Sequence, residues 1–315
     1  MAVRRRPAPA AAPDRYRAYG LAVESRLALP CPRDRAGAAD VVLTPAPRAR
    51  FDALVRRRPP RRRRWFEHHE LDDGSTFLRW RGLSDFLISP DGSRIEYRRD
   101  PRTSPESLTT YLLGQVLSFS LLARGVEPLH GTVVSVGGRA VALLGDCGLG
   151  KSTLAAALLA RGCPIVTDDL IVTRSSRGRV EVWPGLPRLK LYPRVARALL
   201  GESAAASRMN RGSVKIVVPL HRRQSVRQRL PLHGLFVLDR SDRGIAIDRL
   251  RGSEALIETL RATFNDIVIR RPRIAAQFEF ASRLVSAVPV YRLTYPRRLA
   301  DLPKVCEAIV AHVLR

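Results

Sequence analysis

Gly145-Asp146-Cys147-Gly148-Leu149-Gly150-Lys151-Ser152, followed by Thr153, has the G-x-x-x-x-G-K-S spacing of a phosphate-binding loop. The residue types dictate the chemistry. Glycines let consecutive backbone N–H groups turn inward around a polyphosphate, Lys151 can reach the β- and γ-phosphates, and the Ser152 hydroxyl can ligate magnesium. Downstream, Asp168 and Asp169 follow the short apolar run Pro164-Ile-Val-Thr167, so two carboxylates are expected at the end of a strand. Phosphoryl transfer asks for a magnesium ligand and for a carboxylate that accepts the proton of an attacking hydroxyl. Either aspartate could take either part. His130 stands beside Gly131 at the start of another apolar run, where a lone histidine is on its own terms more often structural.

The loop needs a strand before it and a helix after it. Arg139-Ala-Val-Ala-Leu-Leu-Gly145 has strand character, and Thr153-Leu-Ala-Ala-Ala-Leu-Leu-Ala160 is a strong helix former. Gly137-Gly138 joins the first of these to Leu129-His-Gly-Thr-Val-Val-Ser-Val136 as a tight hairpin. Ordinary phosphate-loop proteins feed the loop from a parallel strand, so this is a distinguishing feature. Further strands are expected at 180–183, 189–191, 214–220, 232–238 and 289–294, with helices at 194–200, 253–264, 274–288 and 299–314. Residues 1–14, rich in Arg, Ala and Pro, read as a disordered basic tail. Residues 15–100 read as a β-rich module, with turn signals at Asp73-Gly74 and Asp91-Gly92. His68 and His69 lie in it, and adjacent histidines on an extended chain face opposite ways, which argues against a metal site. Residues 101–315 form the nucleotide-binding unit, opened by a helix from Ser107 to Arg124 that is expected to pack across the nucleotide core. The fold class is α/β.

Composition narrows the partners. The formal charge of +26 is almost all arginine, since lysine stands only at 151, 190, 215 and 304. With abundant alanine and proline, that pattern is a high-GC codon signature more than a nucleic-acid footprint. Arg56 to Arg64 is the one dense cluster and reads as a solvated loop; no interleaved aromatics or reading helix support nucleic-acid recognition. Lys190 and Lys215, lysines in an arginine-preferring chain, are candidates for phosphate or substrate contacts. Cys31, Cys147, Cys163 and Cys306 lack C-x-x-C spacing, excluding a structural zinc site and a disulfide framework. No apolar stretch approaches a membrane span and the N-terminus lacks a signal-peptide run, so the expected location is cytoplasmic, with no membrane partner.

In their order and spacing, Leu129-His130-Gly131-Thr-Val-Val, Leu144-Gly145 through Lys151-Ser152, and Val166-Thr167-Asp168-Asp169 resemble the HPr kinase/phosphorylase catalytic domain. The resemblance covers about residues 125–240. It implies a phosphate-loop core related to phosphoenolpyruvate carboxykinase, with ATP and Mg2+ as cofactors and Gly145 to Thr153 as the nucleotide cradle. Asp169 would be the base that deprotonates a serine hydroxyl, His130 a catalytic residue interacting with the phosphate or with Asp169, Lys151 a catalytic phosphate contact, and Ser152 with Asp168 or Asp169 the metal ligands. The family's Glu-Ile/Val-Arg-Gly motif has no match, so reversal by phosphate is not implied. Tyr19-Gly20-Leu21, Ser25, Leu29-Pro30, Pro187 to Tyr192 and Val290 to Leu293 look like the HPr-kinase-like proteins found beside lasso-peptide biosynthesis enzymes.

The expectation is therefore an ATP- and Mg-dependent kinase acting on a serine of a protein or ribosomal peptide precursor. Homo-oligomers are frequent in the family, and no residue pattern here marks an interface. Two other readings fit the loop: a nucleotide-dependent scaffold, and an NTPase that hydrolyses without transfer.

Overall fold

The computed structural model describes residues 12–34, 37–57, 65–201, 206–210 and 212–315; most of the tail and residues 58–64 of the arginine cluster lie outside the described residues. The first strand opens at Asp14, earlier than the tail reading placed it, because Asp14 pairs with Ser25 across a hairpin. Strands β1 (Asp14–Ala18), β2 (Leu21–Ser25), β3 (Val41–Pro45), β4 (Phe66–Glu70), β5 (Thr76–Trp80), β6 (Ser84–Ile88) and β7 (Arg94–Arg99) form one sheet, ordered β1-β2-β3-β7-β6-β5-β4. Helix α1 (Arg48–Arg57) follows β3 and buries Phe51 against Phe77 and Leu87.

Ser104 starts the next helix by accepting the Ser107 N–H at 3.1 Å, with Pro105 pre-set for the first turn. The helix runs as α2 (Pro105–Tyr111), a π turn (Leu112–Val116) and α3 (Leu117–Ala123). Its leucines bury against Phe86, Ile88 and Ile95 of the first sheet and also against Leu170, Val172, Leu186 and Phe264 from the second half of the chain. It thus packs on the nucleotide core, as the sequence led us to expect, and also on the first sheet, as a wedge between the two halves. Apolar residues around much of its circumference give it two faces to bury.

The second sheet holds β8 (Leu129–Val136), β9 (Arg139–Leu144), β10 (Ile165–Ile171), β11 (Thr173–Ser176) and β12 (Arg179–Val182). A small separate sheet contains β13 (Arg188–Leu191), β14 (Ser207–Arg208) and β15 (Ile216–Pro219). The long β16 (Leu230–Arg240), β17 (Ala246–Leu250) and β18 (Val290–Tyr295) complete the second sheet. The β8–β9 hairpin closes at Gly137 and Gly138, both left-handed, as the two-residue turn requires. β9 is antiparallel to β8 and parallel to β16, and β16 is parallel to β18, while β10 is antiparallel to β8. These directions put the start of β8 and the ends of β9, β10 and β18 at one edge. Every group discussed below stands there.

Helix α4 (Lys151–Ala160) leaves that edge and is buried nearly all round, its alanines allowing close approach to the sheet. Helices α5 (Pro193–Leu200) and α8 (Leu302–Leu314) pack against it in the same apolar cluster, and α6 (Gly252–Arg261) and α7 (Arg271–Ala287) contribute to the opposite face of the sheet.

The tip of the β1–β2 hairpin reaches this region. Tyr19 has φ +53°, is buried, and donates its N–H to Pro184 O at 3.2 Å. Burial pushes its phenol pKa up, and Asp169 and Asp168 add to the rise against the opposing Arg188. Gly185 leaves room for the tip: a Cβ there would overlap Thr167 Oγ1 and lie 2.8 Å from the Tyr19 ring. Gly185→Ala is therefore expected to destabilise the protein by about 1–3 kcal/mol, read as a lower urea midpoint at unchanged slope.

Candidate active site

The phosphate loop connects β9 to α4 and is held open by left-handed glycines, Gly145 (φ +124°), Gly148 (φ +89°) and Gly150 (φ +95°). Gly148 faces open space and, with Cys147, Gly150 and Thr153, lines a cavity of about 740 Å³. Leu149 turns the other way, packing on the core while its N–H donates to Asp146 O at 3.2 Å. Asp146 and Cys147 are exposed. The free N–H groups at the start of α4 and the helix dipole make this end of the cavity an anion site. Lys151 Nζ donates to Gly145 O at 2.6 Å and Asp146 O at 3.1 Å, which lays its ammonium across the loop. Burial lowers its pKa, opposed by Cys147 and the two aspartates.

The two aspartates lie inside β10, not at a strand end, because the pairing with β8 continues through Asp168↔Thr132, Asp169↔Gly131 and Leu170↔His130. Neighbouring residues on a regular strand face opposite ways. Asp169 escapes that rule through its left-handed backbone, φ +71°, a conformation that aspartate tolerates better than most residues. The two carboxylates consequently do different things. Asp168 Oδ1 accepts from Thr132 Oγ1 at 2.7 Å and from Ser152 Oγ at 3.2 Å, and its Oδ2 accepts the Lys190 N–H at 2.9 Å. Asp169 forms an ion pair with Lys190 Nζ. One residue of β13 thus touches both acids, by backbone and by side chain.

The electrostatics separate the pair further. Burial raises the Asp168 pKa, and the neighbouring Asp169 charge raises it again. Burial also pushes Asp169 upward, but Lys190, by charge and hydrogen bond, together with His130 and Arg188, brings it down to about 2. Asp169 is ionised throughout the physiological range.

His130 Nδ1 lies 3.2 Å from Asp169 O, an oxygen that can only accept, so Nδ1 carries the proton. Burial, helped by Lys151, lowers the imidazole pKa; the neutral ring leaves Nε2 as an acceptor.

Magnesium fits the residues present. Adjacent ligands of an octahedral ion at about 2.1 Å stand about 2.9 Å apart. Ser152 Oγ and Asp168 Oδ1 are 3.2 Å apart, so a small adjustment would let both face one ion. Among the described residues no group of three His, Cys, Asp or Glu side chains could hold a metal. That accords with magnesium, which takes one or two protein oxygens and fills its shell with phosphate and water. Asp169 is engaged with Lys190, which leaves Asp168 as the carboxylate placed beside Ser152.

Structure adds groups that the motif order did not reveal. Arg297, just beyond β18, donates to Gly148 O, and the Tyr295 hydroxyl lies 3.5 Å from Leu149 O. They come from some 150 residues away, brought to the loop because β18 and β9 run parallel on either side of β16. Lys190 and Lys215, the two lysines already noted as out of character, both line the cavity, where Lys215 sits over the Tyr192 ring at 5.5 Å.

No protein-family model matches the chain. The HPr kinase/phosphorylase of Clostridium botulinum (strain Eklund 17B / Type B) is 37% identical over 76 residues, 23% of this chain and 24% of that protein. The HPr kinase/phosphorylase of Leptothrix cholodnii is 34% identical over 143 residues, 41% of this chain and 43% of that one. The chain thus matches less than half the length of these relatives. The solved HPr(Ser) kinase/phosphatase from Coxiella burnetii superposes with a TM-score of 0.33 at 13% identity, covering 59% of this chain and 96% of that one. Among the described residues, no helix is long and apolar enough to cross a membrane.

Proposed function

We propose that this HPr-kinase-like chain is an ATP- and magnesium-dependent kinase that transfers the γ-phosphate to a serine hydroxyl of a protein or peptide. One observation carries the reading: Lys151, Ser152, Asp169 and His130 line one cavity at one sheet edge, and Asp168 stands within hydrogen-bonding distance of Ser152. Loop N–H groups and Lys151 would hold the β- and γ-phosphates, with Arg297 and Lys215 as further cations around them. Ser152 and Asp168 would hold magnesium, whose charge neutralises the phosphates when bound. Asp169, ionised at neutral pH, would orient the serine hydroxyl and accept its proton. Neutral His130 supports it by fixing the Asp169 backbone through Nδ1. In such transfers the protein contributes mainly position and charge, which suits a carboxylate that accepts the proton late.

The finer reading, a serine of a ribosomal peptide precursor, rests on the resemblance of Tyr19-Gly20-Leu21 and Pro187 to Tyr192 to the proteins of lasso-peptide clusters. The test is intact-mass spectrometry of candidate acceptors incubated with the protein, ATP and magnesium. An acceptor that gains one phosphate with wild-type protein and none with Lys151→Ala supports the kinase. ADP formation without any phosphorylated acceptor would instead establish an NTPase. Lys151→Ala is also expected to weaken ATP binding by roughly tenfold or more, measured by calorimetry, since it removes a charge-assisted contact.

A further inference from the structure

The active-site cavity is one end of a longer groove. Gly212 lines both it and a second cavity of about 670 Å³, which shares Gly82, Leu83 and Pro101 with a third of about 680 Å³ on the first sheet. Where the first two cavities meet, Asn210 Nδ2 donates to the Tyr111 hydroxyl at 2.5 Å, and Gly212 N–H donates to Asn210 Oδ1 at 2.8 Å. The floor of this path is therefore anchored to the wedge helix between the two halves.

The chemistry along it is one-sided. In the far cavity five arginines meet three aspartates, and Arg81 is also paired with Glu67, which leaves a small excess of positive charge. In the middle cavity Arg102 and Arg208 are exposed and neither is paired with a carboxylate among the described residues, while Glu106 is the one acid. Trp65 lies there 50% exposed, an aromatic surface beside Leu83 and Pro101. At the near end the path meets Asp169, the group assigned above to receive a hydroxyl proton.

We infer that this groove docks the acceptor as an extended, acidic peptide, with its carboxylates on Arg102 and Arg208, its backbone against Trp65 and its serine at Asp169. The acceptor end of the inference rests on the kinase reading; the docking of an acidic chain does not. A nucleic acid would also answer to positive charge, but one isolated tryptophan is not the series of stacking platforms that single strands use.

The test is fluorescence anisotropy with a fluorescein-labelled peptide of glutamates around one serine, using the full chain without nucleotide. Because the whole protein is basic, the groove variant Arg102→Glu/Arg208→Glu is compared with Arg174→Glu/Arg179→Glu on the exposed β11–β12 hairpin, which changes net charge equally away from the groove. The groove variant is expected to bind at least roughly tenfold more weakly and the hairpin variant within about twofold of wild type. In transfer assays the groove variant should raise KM and leave kcat in place. Equal weakening in both variants would reduce the effect to net charge and overturn the proposal, as would displacement of the peptide by a single-stranded RNA oligonucleotide at comparable concentration. Groove-dependent binding without phosphate gain leaves the docking intact and sinks the kinase reading. Phosphate gain indifferent to Arg102 and Arg208 does the reverse.

Discussion

Asp169→Asn is expected to slow phosphoryl transfer by roughly 10²–10⁴-fold while ATP binding stays within about threefold of wild type. The expectation separates two effects that an alanine variant would mix. Asp169 sits at φ +71°, where asparagine is as well tolerated as aspartate, so the kink that sends the two side chains to different partners survives. What is lost is the negative charge and its capacity to accept a proton. In the proposed kinase the nucleotide would be held by the loop, Lys151 and Ser152, none of which hydrogen-bonds the Asp169 carboxylate, so binding should be retained. A single-turnover rate at saturating ATP and magnesium reads the first quantity and calorimetry the second. Transfer that persists within about tenfold would remove Asp169 from the chemistry and leave positioning alone as the source of rate.

Much of this site could be read from the chain because its parts are local. The loop spans eight consecutive residues, its flanking strand and helix have opposite periodicities, and Gly137-Gly138 fixes the hairpin partner that carries His130. His130, the loop and the aspartate pair therefore meet by short connections. The chain's α/β organisation was legible for the same reason. What was not legible depends on distant pairings. The position of Asp168 and Asp169 within β10, instead of at its end, is set by the register against β8 and by the left-handed Asp169 backbone. Lys190 is visible as an odd lysine, but its choice of Asp169 over a phosphate follows from the approach of β13 to β10. Arg297 and Tyr295 carry no local signal, and only the parallel register of β9, β16 and β18 brings them to Gly148 and Leu149. The Tyr19 tip was marked by resemblance, yet its contact with the floor behind Asp168 follows from Gly185, a glycine outside any motif.

Lys190→Met should produce the second large effect, and its sign depends on pH. In the wild-type protein the Asp169 pKa, about 2, lies below the ordinary carboxylate value of 3.8. Its ionised form thus contributes stability that is present above pH 3.8 and lost as pH falls through about 2. Lys190 is the largest influence opposing burial. Without it, Asp169 faces the buried Asp168 with its main counter-charge gone, and burial and the neighbouring carboxylate push its pKa above the ordinary value as well. The linkage then inverts: with a folded pKa above the unfolded one, the variant loses stability as pH rises toward neutrality and regains it on acidification. The expected deficit is about 1–3 kcal/mol at pH 7, less than for a fully buried pair because Asp169 faces the cavity, and it shrinks toward pH 4. Transfer follows the same variable, because the proton acceptor must be ionised: the acid limb of the rate profile should move toward neutrality. Urea unfolding and single-turnover rates on one pH series test both consequences together. A constant stability deficit across the series, with an unmoved acid limb, would mean that Lys190 serves the fold and leaves the ionisation of Asp169 to other groups.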